Sequence, residues 1–415
     1  MNSPQLSQTM VVSHPHPPRV PSGKSLWIFI GANMLSMTGN LIRKIALGWS
    51  VWNATHATTS LATLALADLL PTLIVSIPAG ALIDRFRPTT TFRLSLLASC
   101  LLSLLLCAVA VSGSLTIGRL LACVILLGTC DGFTWPARFA YMTQLTPREG
   151  YARAVVLFSL SGNVAFFTGP MIAGTIIPAF GVSAAYAADA LAFLPIIAVA
   201  IVTTSIRSET TDLRMRESVL RHMLGGITYA AHNRAILTML LSFAAIAFTA
   251  RGILELAPSI AATTLSGGVE TLSLLISSAA LGALLAGIWM SKWGGWGERI
   301  TIIATLTGSA VALIGYGASG QIALSLSGAV LLGCMLAMNS ISVTGAIQLH
   351  TEPEYRGRIN SLYNMIFKGG PAVGAMAFGW LAHVTNIRVS SIVAAIMLIL
   401  LTMWIVKRCG TNCLR

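Results

Sequence analysis

Charge is scarce in this chain. Only 9% of its 415 residues are Asp, Glu, Lys or Arg, where a soluble domain carries about 25%, and that scarcity excludes an ordinary water-facing surface. Acid is the scarcer sign, with 13 Asp and Glu against 26 Lys and Arg. There is no phosphate loop ending in Gly-Lys-Ser/Thr and no Gly-rich nucleotide fingerprint, and no soluble stretch long enough to hold a nucleotide domain. An ATP-driven pump is therefore excluded, no catalytic constellation suggests an enzyme, and no cofactor is expected. Cysteine is limited to seven residues. Cys100, Cys107, Cys123, Cys130 and Cys334 fall in apolar runs, where cysteine acts as a small hydrophobe. Cys409 and Cys413 lie near the C-terminus, reading as free thiols of a reducing compartment. These make no His/Cys cluster of metal-ligand spacing, so no metal is expected.

What the sequence has instead is long apolar runs. Hydrophobic residues make up 55% of it, and cutting at charged and Pro/Gly clusters leaves about twelve stretches of roughly 20 residues, the length of helix that crosses a hydrocarbon core. They fall at 26–50, 59–83, 92–113, 116–137, 154–178, 183–204, 235–259, 271–291, 300–317, 321–345, 359–382 and 387–406. In lipid every backbone amide must be paired within its segment, which favours helices, and the short alternating segments of a β-barrel are missing. The reading is an all-α membrane protein.

The charge of +13 follows from topology. Arg43, Lys44, Arg251 and Lys368 lie within spans. Of the other basic residues, all but Arg119 and Arg388 fall in gaps on one side. Basic loops stay in the cytoplasm, so both termini are expected there and the helix count is even. Nucleic acid is not needed to explain the charge. Residues 1–25 are polar and proline-rich, as in His14-Pro15-His16-Pro17-Pro18, and are expected to be a disordered tail. The apolar run after them has no small-residue cleavage site and reads as a retained first helix.

The longest polar stretch, 205–234, divides a bundle over 26–204 from one over 235–406, with a tail at 407–415. The two parts repeat. Gln144-Leu145 with Pro147 and Arg153 matches Gln348-Leu349 with Pro353 and Arg358. Gly169-Pro170 with Gly174 matches Gly370-Pro371 with Gly374, and Arg43 matches Arg251. Parallel repeats about an axis normal to the membrane are a transporter plan with substrate between the halves.

Three motifs carry a family resemblance. Gly80-Ala81-Leu82-Ile83-Asp84-Arg85-Phe86-Arg87-Pro88 resembles the cytoplasmic signature of the major facilitator superfamily, although Pro88 and threonines stand where further basic residues are common. Asp131-Gly132-Phe133-Thr134-Trp135-Pro136-Ala137-Arg138 resembles a stretch in its siderophore-exporter and macrolide-efflux branch. Ala165, Gly169, Pro170, Ala173 and Gly174 are similar to the motif that marks exporting antiporters, with alanine for glycine at 165 and 173; its small residues let helices approach closely. The resemblance implies twelve transmembrane helices in two pseudo-symmetric six-helix bundles. It also implies a cytoplasmic gate of Gly80, Asp84, Arg85, Arg87, Asp131 and Arg138, with Arg138 partnering Asp84. Each motif also has a plainer reading: topology-setting charge, helix capping, or generic helix packing.

Ionisable groups inside the bilayer mark pathways and proton relays. Asn40, Arg43, Asp68, Arg251, Glu255 and Lys368 are the candidate substrate and proton pathway. Arg251 and Glu255, four apart, share a face of a regular helix and are expected to pair; Arg43 and Asp68 are expected to pair between successive helices. The plainer reading has Arg43, Lys44, Arg251 and Glu255 snorkel to the outer interface. Asp189 reads as interfacial. The expected protein is a monomeric secondary transporter of the cytoplasmic (inner) membrane. It exports a small molecule, siderophore-like or drug-like, in exchange for protons, with an anionic or carboxylate-bearing substrate matching the cations. Metabolite uptake by the same fold and a non-transporting receptor or assembly role are the alternatives.

Overall fold

In the computed structural model the described residues are 23–86, 88–146, 150–202, 228–293 and 297–408, with the side chains of 76–86 and of a few helix-end residues excepted. The expected N-terminal disorder, most of the 205–234 connection and nearly all of the C-terminal tail lie outside them.

The described residues are almost entirely helical. Helices α1 (Gly23–Thr55), α2 (Thr58–Phe86), α3 (Pro88–Val111), α4 (Ile117–Gln144) and α5 (Tyr151–Val202) form the first part. After α6 (Arg234–Ile246) the chain continues through the π turn Ala247–Arg251, the α turns Gly252–Glu255 and Ala257–Ser259, and the π turn Ile260–Thr264. Then follow α7 (Val269–Trp293), α8 (Glu298–Leu313) with its π turn Ile314–Ala318, α9 (Ile322–His350), α10 (Pro353–Val384) and α11 (Ile387–Arg408). Ten stretches among the described residues are long and apolar enough to cross a membrane. Leu94, Leu97, Leu101, Leu104 and Leu105 are exposed along α3, a leucine belt suited to lipid and costly in water.

Local chemistry sets the breaks. Asn233 caps α6, its side-chain oxygen accepting from the amides of Ala235 and Ile236, as an N-cap residue should. Gly181 takes φ 79°, a left-handed value open to glycine, and bends α5 there. That bend falls between the apolar runs 154–178 and 183–204. Helix α4 runs on past Pro136 to Gln144, so Asp131 and Arg138 lie inside the helix and not near its end.

Pairs of small residues fix the helix contacts. A side chain at Gly169 would meet Leu41 Cβ at 2.7 Å on α1, and one at Gly370 would meet Ala247 Cβ at 2.7 Å. The two glycines that match in sequence thus play the same part in each half. The halves meet where α5 packs on α7 and α2 packs on α10. Thr58 Oγ1 donates to the Gly379 carbonyl at 2.7 Å, a side chain at Gly174 would strike Ser273 Cβ at 2.7 Å, and Ser277 Oγ donates to the Phe167 carbonyl at 3.3 Å. The first two crossings lie at the end of the molecule that carries the 55–58 and 384–387 connections, called the upper end below.

Candidate functional site

The intramembrane charges divide into a buried set and a set that faces a cavity. Arg43 on α1 is 2% exposed and Asp189 on α5 is fully buried. Their Nη1 and Oδ2 atoms are 2.8 Å apart. Ser103 on α3 donates to the same carboxylate oxygen at 2.6 Å and accepts from Arg43 at 3.2 Å. This triad ties α1, α3 and α5 together inside the first part. Arg43 therefore neither snorkels nor pairs with Asp68, and Asp189 is a core residue instead of an interfacial one.

Asp68 is paired by the next residue along, Lys44, with Nζ and Oδ2 3.0 Å apart. Successive helix residues point about 100° apart, so one of the two basic neighbours on α1 goes into the core and the other faces across to α2. The Lys44 side chain is 49% exposed and that of Asp68 36%. At 1.5 Å per residue, Lys44 lies about 16 Å below Thr55 and Asp68 about 15 Å below Thr58. Exposure at that depth in apolar helices turns the pair toward a space between the helices, since a charge facing lipid there would be very costly.

Three more charged groups face the same space. Glu255 is exposed and stands one turn above the contact of Gly252 with Gly374, while by the same rise per residue Asp131 lies about 21 Å below Ile117 and Lys368 about 24 Å below Val384. Lys44 is the hub: Asp68, Glu255 and Asp131 all lie within its electrostatic range, and Lys368 in turn senses Asp131, Lys44 and Asp68. Helix α10 carries Gly357, Ser361 and Asn364, all exposed, and the half-buried Lys368 on one face, a polar stripe that leads from this cluster toward the lower end. Asn40 is half-buried on α1.

Arg251 does not pair with Glu255. Its guanidinium lies 4.0 Å from the centroid of the Phe367 ring and donates to the Phe367 carbonyl at 3.4 Å. The turn from Gly252 to Glu255 is regular α-helix, so the two residues share a face as their spacing predicts, and it is the Phe367 ring and carbonyl that hold the guanidinium instead. Phe367 belongs to a ring cluster in which Phe243 and Tyr363 stack at 4.4 Å. Among the described residues neither Glu255 nor Lys368 has a hydrogen-bond or ion-pair partner.

Of the expected gate, Arg87 and the side chains of Gly80, Asp84 and Arg85 lie outside the described residues. Arg138 is 6% exposed and donates to Asn33 Oδ1 at 3.0 Å and Ser36 Oγ at 3.4 Å on α1, so it holds α4 against α1. Ala165, Gly169 and Pro170 are buried and Gly174 half-buried, packing α5 on α1 and α7 as small residues do. Lys44 was expected only among the snorkelling charges; a lysine six residues inside the apolar run 26–50 was the available signal.

The transmembrane secretion effector family matches residues 15–411. A staphyloferrin A transporter of Staphylococcus aureus (strain NCTC 8325 / PS 47) is 26% identical over 166 residues, 40% of this chain and 42% of that protein. Macrolide efflux protein A of Streptococcus pyogenes is 22% identical over 349 residues, 82% of this chain and 85% of that protein. Among solved structures, a D323A mutant of the nucleoside transporter NupG superposes with a TM-score of 0.74 at 11% identity, over 93% of this chain and 100% of that one. A bacterial homolog of the human lysosomal transporter Spinster, inward-facing and unoccupied, gives a TM-score of 0.69 at 14% identity, over 92% and 96%. At these identities the structures share the fold alone.

Proposed function

The chain belongs to the transmembrane secretion effector family of the major facilitator type, a family of transporters and not of enzymes, and we propose from that premise that it exports a small molecule across the cytoplasmic membrane in exchange for protons. Two six-helix halves give alternating access. Dividing α5 at Gly181 and adding Pro353–Val384 to the ten apolar stretches supports twelve spans. The paired glycines Gly169 and Gly370 support the pseudo-symmetry. With the basic gaps and both termini inside, the lower end is cytoplasmic.

One observation carries the reading: a cluster of cations and carboxylates stands water-exposed at mid-membrane depth, between halves that touch above it. Such a cavity loads from the cytoplasm. Glu255 is the proton carrier, because Asp68 is held by Lys44 and a carboxylate without a partner is free to bind and release a proton as its surroundings change. Lys368 takes an anionic group of the substrate. Gly80, Asp84, Arg85 and Arg87, with Arg138 behind them, form the inner gate, and Asp131 belongs to the cavity instead. The substrate is siderophore-like or drug-like, and the unit is a monomer.

Inverted vesicles acidified inside provide the test. Export in the cell corresponds to uptake into such vesicles, and it stops when an ionophore collapses the gradient. Glu255→Gln abolishes the gradient-driven part. Uptake confined to right-side-out vesicles would reverse the direction and leave the metabolite-uptake reading in its place.

A further inference from the structure

Glu255 and Lys368 stand at opposite ends of the charge cluster. Glu255 senses Lys44, Asp68 and Arg251, while Lys368 senses Asp131, Lys44 and Asp68. The closed Lys44–Asp68 pair thus lies between two groups that each lack a partner among the described residues. Gly252 and Gly374 touch, and helix rise from that contact up to Glu255 and down to Lys368 separates the two by about 13 Å along the membrane normal, with Glu255 above and Lys368 below. We propose that the substrate is amphoteric, with a cationic group held at Glu255 and an anionic group held at Lys368, one at each end of an extended molecule. This rests on the export reading above and names the substrate class of the same cavity.

The sign of the coupling requires two charges. A carboxylate holds either a proton or a cationic group, so a cation at Glu255 competes with the proton, and competition at one site is what exchange needs. An anion alone at Lys368 behaves in the opposite way. Protonating Glu255 removes a nearby negative charge and strengthens anion binding, so proton and substrate would load together and travel the same way. A cation alone would exchange with the proton but make no use of the Lys368 ammonium, which has no hydrogen-bond or ion-pair partner among the described residues. An amphoteric guest meets both demands at once. Arg251 is not the anion site, since its guanidinium is stacked on Phe367 and bonded to that residue's carbonyl. Nor is Asp131 the exchange site: Arg43, Lys44 and Arg138 all lie within its range, and a cationic guest adds little there.

The test uses the full-length protein purified in detergent and three probes of matched chain length: 8-aminooctanoate, octanoate and octylamine. Binding is read by calorimetry and proton release by an indicator dye. The amphoteric probe should bind at least tenfold more tightly than either singly charged one and release a proton on binding. Glu255→Gln should remove the proton release and the advantage over octanoate, and Lys368→Met the advantage over octylamine, while Glu255→Asp and Lys368→Arg retain both. Equal affinity for all three probes, or proton release that persists in Glu255→Gln, overturns the proposal. Labelled 8-aminooctanoate in acid-inside inverted vesicles separates this from the export reading. Charge selectivity without gradient-driven uptake upholds the substrate class and sinks antiport export; gradient-driven uptake without charge selectivity sinks the substrate class alone.

Discussion

Arg43 and Arg251 occupy matching places in the two repeats, yet they meet different fates. In the first half Arg43 is sealed in the core against Asp189 and Ser103. In the second half Arg251 is half-buried on a π turn over the Phe367 ring. The helix that corresponds to the one bearing Asp189 is α11, and around the equivalent place it offers Ser390 and Ser391, both fully buried, and no carboxylate. The same cation thus stands at both matched places, but only Arg43 has a carboxylate against it, so Arg43 acts as a rivet while Arg251 rests on an aromatic ring. The two halves of a transporter need not share the work equally: among the described residues both ion pairs belong to the first half, while Glu255 and Lys368 of the second stand without a partner.

The sharpest way to break this comparison is to remove each partner. Asp189→Asn leaves Arg43 charged in a dry core, and losing one member of a buried pair costs about 3–5 kcal/mol. A large fall in thermal unfolding temperature and in folded yield is expected for Asp189→Asn. Arg251→Met should cost far less stability, because that cation is only half-buried and leaves no carboxylate unpaired when it is removed. Equal losses in the two variants would mean that Arg251 is structural as well. A weaker blow falls on the helix contacts. Gly169→Val and Gly370→Val each force a side chain into a neighbouring helix, and overpacking of this kind costs about 1–3 kcal/mol. Similar losses at both positions would sharpen the repeat, and a neutral Gly370→Val would weaken it.

Much of this comparison could be read from the sequence, and its decisive step could not. Apolar length gave the crossing helices, and the matched Gly169-Pro170 and Gly370-Pro371 pairs anticipated equivalent packing. Membrane depth singled out Asp68, Glu255 and Lys368. Which way a side chain faces is a question of helix rotation, and two adjacent basic residues, Arg43 and Lys44, differ there while looking alike in hydropathy. The partner of Arg43 is 146 residues away, beyond any local pattern, and Asp189 after its small-residue run looked like a helix end because Gly181 had bent the chain just before it. The Phe367 ring and carbonyl that hold Arg251 lie 116 residues along the chain, equally out of reach of local spacing.

The smallest expected effect concerns the closure between the halves. Thr58 Oγ1 donates to the Gly379 carbonyl at the upper end, and this bond exists only while the two halves touch there. Thr58→Val keeps the shape and removes the donor. A hydrogen bond of this kind contributes about 1 kcal/mol net, so the equilibrium should shift toward the state open at the upper end by about fivefold. Ser259, 1% exposed, lies beside the same closure with Thr58 and His383. A cysteine placed there, in a background with the native cysteines replaced, reports opening through its labelling rate with an impermeant thiol reagent. That rate should rise about fivefold in Thr58→Val, in proportion to the open population. Thr63→Val is the control, because Thr63 bonds only within its own helix, to the Thr59 carbonyl, and stands exposed; its labelling should not change. A Thr58→Val rate equal to that of the control would show that this hydrogen bond adds nothing to the closure, and that the upper end is held by the packing of α5 on α7 and of α2 on α10.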